Sequence, residues 1–259
     1  MTSLPHRLDR TVVILATPAT VFRFFTDSTR WARWWGTGST IDARPGGRVY
    51  IRHPNGIEAG GEIVEVTEPD RIIFTYGFAS GTPMPIGASR VTIRLEKQSG
   101  GTKLHLLHEF ADAIPRDEHV QGWRFQLSLF ANAVSDEVNA DATGLVDRWF
   151  EAWAERDGEA CGRKLAAIAV DEVTFRDRYS QTSGIADLVP HIGAAQRFMN
   201  LSVRRQGDVR HCQGTVLADW VATDADGQEK ATGLNVFLLN PDGRITAVTG
   251  FWGPPKPAA

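Results

Sequence analysis

The chain reads as an α+β protein made of two domains in tandem, and three features predict it. Its 259 residues suit two domains of ordinary size, each large enough for its own core. The first half runs from a strand through two short helices into a series of strands, then closes on a long helix. The second half places helices before most of its strands and ends on a strong hairpin signal at Asp242-Gly243. The polar, helix-breaking stretch 139–143 separates the two patterns. It sets the domains at 1–140 and 141–259, with a linker too short for free tumbling, so the two are expected to touch.

Residues 9–15 are rich in β-branched side chains and read as a strand. Thr17-Pro18 then starts a helix, with Thr as N-cap and Pro at the first helical position, where its missing N–H costs nothing. Val21, Phe22 and Phe25 give that helix an apolar side. A second short helix holds Trp31, Trp34 and Trp35. Strands are expected at 48–53, 58–66, 71–78, 89–96 and 102–110, broken by Gly, Pro or Asp. Val91, Ile93 and Leu95 alternate with Thr92, Arg94 and Glu96, the period of a half-buried antiparallel strand.

A helix over 116–138 carries Val120, Trp123, Leu127, Phe130, Ala131, Val134 and Val138 on its core face. Phe125 and Leu129 fall on the opposite side. As an i, i+4 pair they predict a second covered face, against the second domain or another subunit. Strand parity puts His108 with Leu104, Leu106 and Phe110, His53 with Val49 and Ile51, and Tyr76 with Ile72, Phe74 and Phe78. Such polar tips are either hydrogen-bonded core groups, the commoner case, or groups that orient an apolar ligand in a cavity.

In the second half, Leu145, Val146, Trp149, Phe150 and Trp153 form one helical stripe. A second helix covers 158–169 and a strand 172–176. A helix follows Gly184 to Met199, bent at Pro190. Four strands are expected at 201–206, 215–223, 229–239 and 244–251.

Bulk numbers restrict the function classes. Lys and Arg balance Asp and Glu at 15 and 15 over residues 1–140, and stand at 13 and 16 over 141–259. No basic stripe exists, so no nucleic-acid partner is expected. The absence of a long apolar run argues against a membrane partner, and residues 1–10 carry no secretory core. The only cysteines, Cys161 and Cys212, make no disulfide framework and suit a reducing, cytoplasmic setting. No metal-ligand spacing, phosphate-binding glycine loop or nucleophile elbow is present, and no cofactor is expected.

The order β-α-α-β(×6)-α, with Trp34-Trp35, Gly46-Gly47, Ser89-Arg90-Val91-Thr92, Gly101-Thr102 and Gly122-Trp123, resembles the SRPBCC (START-like, helix-grip) superfamily. Within it, the closest likeness is to the activator of heat-shock protein 90 ATPase homologue group, over about residues 8–139. That resemblance implies a helix-grip domain with a cavity for a hydrophobic ligand, for which Trp34, Tyr76 and His108 are the candidate contacts.

The order α-α-β-α-β-β-β-β resembles the nuclear transport factor 2-like superfamily, of the SnoaL-like polyketide cyclase and ketosteroid isomerase type. The likeness rests on Glu155-Arg156-Asp157, Val173-Thr174-Phe175-Arg176-Asp177, Gly184-Ile185 and Asn240-Pro241-Asp242-Gly243-Arg244-Ile245. It implies a cone-shaped α+β domain, and a homodimer. It also implies a carboxylate base where Asp177 stands. Trp149 falls where the isomerases have an oxyanion-binding tyrosine, and Asn235 where they have a protonated acid. A carboxylate in an apolar cavity makes a better proton acceptor near neutrality, and Asn can donate to a developing oxyanion. Asp177 is equally suited to capping the loop that follows it. Asn235 can equally satisfy a neighbouring backbone group. Trp153, Tyr179, His191 and Trp220 complete the candidate pocket contacts.

Three functions follow as expectations. One or both domains bind a small hydrophobic molecule, cyclic and polyketide- or lipid-like. Alternatively, the second is a cofactor-free isomerase, cyclase or dehydratase using Asp177. The third is a protein-interaction or co-chaperone-like role through the Phe125/Leu129 face.

Overall fold

The computed structural model describes residues 3–253; Met1, Thr2 and residues 254–259, at the outer ends of the two expected domains, lie outside the described residues. The chain divides into two compact units, Met1–Glu137 and Val138–Ala259. Each joins helices to a largely antiparallel sheet, so the fold class is α+β.

The first unit contains β1 (His6–Ile14), α1 (Pro18–Arg23), α2 (Ser28–Trp35), β2 (Thr40–Ile41), β3 (Arg48–Arg52), β4 (Glu58–Thr67), β5 (Arg71–Phe78), β6 (Ser89–Gln98) and β7 (Gly101–Phe110). Helix α3 (Ala113–Val138) runs from the sheet to the junction. The seven strands lie in the order β1-β7-β6-β5-β4-β3-β2, so β1 closes onto the last strand. Both short helices start on side-chain caps. Thr17 Oγ1 accepts from Thr20 N at 3.2 Å, and Asp27 Oδ1 accepts from Arg30 N at 2.8 Å. Each bond satisfies an N–H that a helix start leaves without an internal partner.

Register then builds the core. Leu8, His108, Val91 and Phe74 stand opposite one another across β1, β7, β6 and β5. Trp31 of α2 packs on that row, meeting Phe74 edge-on at 6.0 Å, and Phe130 of α3 stacks at 4.8 Å on Phe25, which follows α1. At the far end of α3, Glu137 takes Arg30 and Arg33, each at 2.9 Å.

The second unit contains α4 (Ala142–Ala154), α5 (Gly158–Ile168), β8 (Ala169–Arg176), β9 (Gln181–Ser183), α6 (Ile185–Met199), β10 (Ser202–Cys212), β11 (Thr215–Thr223), β12 (Glu229–Leu239) and β13 (Ile245–Trp252). Its sheet order is β10-β11-β12-β13-β8-β9, with β13 parallel to β8 and the other pairs antiparallel. The apolar stripe of α4 lies in a core that includes Leu165, Val173, Phe175, Ile192 and Phe237. The β12–β13 turn is organised by Asn240, whose Oδ1 accepts from Asp242 N at 3.0 Å and Arg244 N at 2.9 Å.

Three strands go beyond the sequence expectation in different ways. β2 and β9 are two and three residues long, too short to show a period. β10 was expected to stop at 206, but a register shift between Gln206 and Arg210 absorbs Gly207, at φ 69°, and the strand continues to Cys212.

Candidate functional site

Each unit holds a cavity lined by residues singled out in the sequence, and these two cavities differ greatly in size. The first unit's is an open-mouthed cavity of about 790 Å³, within the range of small-molecule sites. Trp34 and Trp35 of α2, His53 beyond β3, Tyr76 of β5, and His119 and Gly122 of α3 all stand in its wall. A Cβ at Gly122 would meet nothing within 4 Å, so this glycine leaves one side of the cavity open. Phe125 and Leu129 are exposed and belong to the same lining. The second apolar side of α3 is therefore the rim of the unit's own cavity.

The ring nitrogens of this wall sort into satisfied and unsatisfied groups. Trp34 donates to Phe24 O at 3.4 Å, and Trp31 behind it donates to Tyr50 O at 3.2 Å. Trp35 Nε1 and His53 Nε2 are buried without a hydrogen-bond partner, and their rings meet edge-on at 5.7 Å. Leaving such groups unpaired costs about 1–3 kcal/mol each. His119 Nδ1 lies 2.6 Å from Pro115 O. A carbonyl only accepts, so Nδ1 carries the proton and the neutral ring keeps its lone pair on Nε2.

His108 is fully buried and absent from the cavity lining. Trp123 Nε1 reaches its Nδ1 at 2.9 Å, and its Nε2 lies 2.8 Å from Ser89 Oγ. An indole N–H only donates, which puts the His108 proton on Nε2. Ser89 Oγ then passes its own proton to Tyr76 O at 2.9 Å. His108 is thus a hydrogen-bonded core residue, the commoner of the two readings open from sequence. Burial lowers the pKa of His53, His108 and His119, with the charge of His119 adding to the shift of the first two. Burial also raises that of Tyr76.

The second unit's cavity is about 80 Å³. Trp149, Trp153 and Trp220 line it with Asp177 and Asn235, as does Trp252, which the sequence reading missed. Asn235 Oδ1 and the Asp177 Cβ lie 3.2 and 3.3 Å from where a Gly250 Cβ would stand. A side chain at Gly250 would therefore crowd both residues from between them on β13.

Asp177 is heavily engaged. Its Oδ1 accepts from Tyr179 N at 2.8 Å, Ser180 N at 2.8 Å and Ser180 Oγ at 2.9 Å. Its Oδ2 accepts from Trp252 Nε1 at 3.0 Å. The carboxylate therefore caps its own loop while standing in the cavity wall. His191 lies outside the lining, with Nε2 3.2 Å from Ser180 Oγ and its ring against Trp153 and Phe175. Tyr179 is exposed, packs edge-on to Trp252 at 5.2 Å, and lines an outer groove rather than this cavity.

Signals for the missed residues were present. His119 and Trp123 are an i, i+4 pair, and Trp252 shares strand parity with the buried Val248. No group of three or more His, Cys, Asp or Glu among the described residues is placed to hold a metal ion. No described helix is long and apolar enough to cross a membrane.

Residues 15–135 match the family model described as Activator of Hsp90 ATPase homolog 1-like protein. No curated protein matches the chain. Among solved structures, a candidate isomerase of the SnoaL-like family from Agrobacterium tumefaciens is 24% identical, covering 43% of this chain and 97% of its own, at a TM-score of 0.41. A protein from Chromobacterium violaceum is 28% identical, covering 50% and 97%, at a TM-score of 0.43. The Aha1 dimer from Colwellia psychrerythraea is 14% identical, covering 50% and 96%, at a TM-score of 0.44.

Proposed function

We propose that the protein binds a small, mainly apolar molecule in the cavity of its first unit, a START-like domain of the activator-homologue type. The observation that carries this is the aromatic wall around about 790 Å³, in which two buried ring nitrogens have no protein partner. A cavity of that volume accommodates a drug-sized ligand, and a few polar groups in an apolar wall set its orientation. The match over residues 15–135 supports the domain assignment. Trp34 and Tyr76 contact the ligand in this reading, while His108 supports the wall from behind.

The test is binding of the neutral fluorescent probe N-phenyl-1-naphthylamine to the full chain and to Gly122→Trp. The indole grows from α3 into the cavity, so probe binding is expected to fall at least about tenfold, which corresponds to 1.4 kcal/mol. Undiminished binding by a folded Gly122→Trp would put the probe elsewhere and overturn the assignment.

A second reading assigns the unit beyond residue 140 to the SnoaL-like type, as a cofactor-free isomerase, cyclase or dehydratase with Asp177 as base. The placement of Asp177 beside Asn235 in a tryptophan-lined cavity supports it. Trp149, Trp153 and Trp220 would hold the substrate ring, with His191 and Tyr179 outside that shell. A cyclic ketone carrying deuterium next to its carbonyl should lose it to water in the presence of the protein but not of Asp177→Asn. Equal loss with both would remove Asp177 from the chemistry. Self-association and a cytoplasmic location are proposed on the resemblance and composition alone; sedimentation velocity tests the first and cell fractionation the second.

A further inference from the structure

We propose that the first unit's cavity selects a neutral aromatic ligand bearing a hydroxyl group, which donates its proton to His119 Nε2. This rests on the ligand-binding reading of the same cavity. The first ground is the His119 tautomer, which geometry fixes: Nδ1 is tied to Pro115 O at 2.6 Å, one turn back on the same helix. His119 belongs to the cavity wall, and its Nε2 is then an acceptor that can take a proton from an occupant. An ether or ketone oxygen cannot supply one, while a hydroxyl can.

The second ground is the charge around it. Of the charged residues in the wall, Arg33 pairs with Glu137 at 2.9 Å, and Glu118 adds a negative charge. A carboxylate ligand would thus meet no unpaired cation and one like charge. Burial keeps His53 and His119 on the neutral side. The third ground is the pair of nitrogens without protein partners. Trp35 Nε1 can only donate, and His53 Nε2 can donate or accept according to tautomer. Both sit in the same wall as His119, and a hydroxyl oxygen that gives its proton to one nitrogen can accept from another. The aromatic body follows from the lining, to which Tyr76, Phe78 and Trp123 contribute.

Four probes with one ring system separate the possibilities: 2-naphthol, 2-methoxynaphthalene, 2-methylnaphthalene and the anion 2-naphthoate. Their affinities for the full chain are measured by titration calorimetry near neutral pH. The expected order has 2-naphthol about five- to tenfold tighter than 2-methoxynaphthalene, the worth of one net hydrogen bond, with 2-naphthoate weakest. His119→Leu should equalise 2-naphthol and 2-methoxynaphthalene, each read against 2-methylnaphthalene in the same variant. A proton–nitrogen correlation spectrum of the wild-type protein reads the same contact without a variant, since 2-naphthol should shift His119 Nε2 and 2-methylnaphthalene should not. Equal affinities, a preference that survives His119→Leu, an unshifted Nε2, or tightest binding of 2-naphthoate would each overturn the assignment of a hydroxyl. Failure of all four probes to bind would instead overturn the cavity reading on which it rests.

Discussion

The Trp123 indole donates to His108 Nδ1 at 2.9 Å, and this one bond sets the direction of a chain of donors that ends on Tyr76 O. It links α3 to β7, β6 and β5 through groups that are all buried. Trp123→Phe keeps the ring and removes the donor, leaving His108 Nδ1 unsatisfied. The expected cost is about 1–3 kcal/mol, read as a lower urea midpoint with an unchanged slope. A stability within error of wild type would show that the bond contributes nothing net.

Stability should fall on the acid side of neutrality. His53, His108 and His119 have folded-state pKa values below the ordinary histidine value, with burial as the main cause. The unfolded chain therefore takes up these protons first as pH falls. The stability they contribute is present above about pH 6.5 and is lost as pH drops through the lower folded-state values. Melting temperatures from about pH 8 to about pH 5 should decline, and less steeply in His53→Leu. An identical slope in that variant would remove His53 from the effect.

Asp177→Asn should destabilise the second unit whatever its role in chemistry. The amide oxygen can still accept from Tyr179 N and Ser180 N, but the amide nitrogen then faces the Trp252 donor. A loss of about 1–2 kcal/mol is expected, and Trp252→Phe in the same chain should restore part of it. Additive losses in the double variant would show that Asp177 and Trp252 are not coupled.

Gly122→Ala should stabilise the first unit by about 0.5–1 kcal/mol, because the glycine lies inside α3 and its Cβ position is free of neighbours. A lower melting temperature for this variant would mean that the helix needs the glycine backbone.

What was legible in the sequence was local. Thr17-Pro18 marked a cap that the structure closes with a bond three residues on, and the period of Val91, Ile93 and Leu95 put their side chains inside. The same parity brought His108 and Tyr76 to the core face, but parity does not say whether a polar tip meets a partner or a cavity. His108 meets Trp123 from another element, while Trp35 Nε1 and His53 Nε2 meet no protein partner. That difference depends on register between segments far apart in the chain. Asp177 is the reverse case: its Oδ1 partners lie two and three residues ahead, so the cap was readable locally, while Trp252 is 75 positions away.

The strand order of the second unit also has a consequence for its synthesis. β13 is the last strand of that unit to leave the ribosome, yet it lies inside the sheet, between β12 and β8. Until it emerges, β8 and β12 have no ladder partner on the facing edges, and β10 to β12 form a separate ribbon. In the first unit every strand precedes α3 in the chain, so the β1–β7 pair needs nothing that is made later. Until β13 emerges, the second sheet is split along its middle, with two unpaired edges open to strands of other chains.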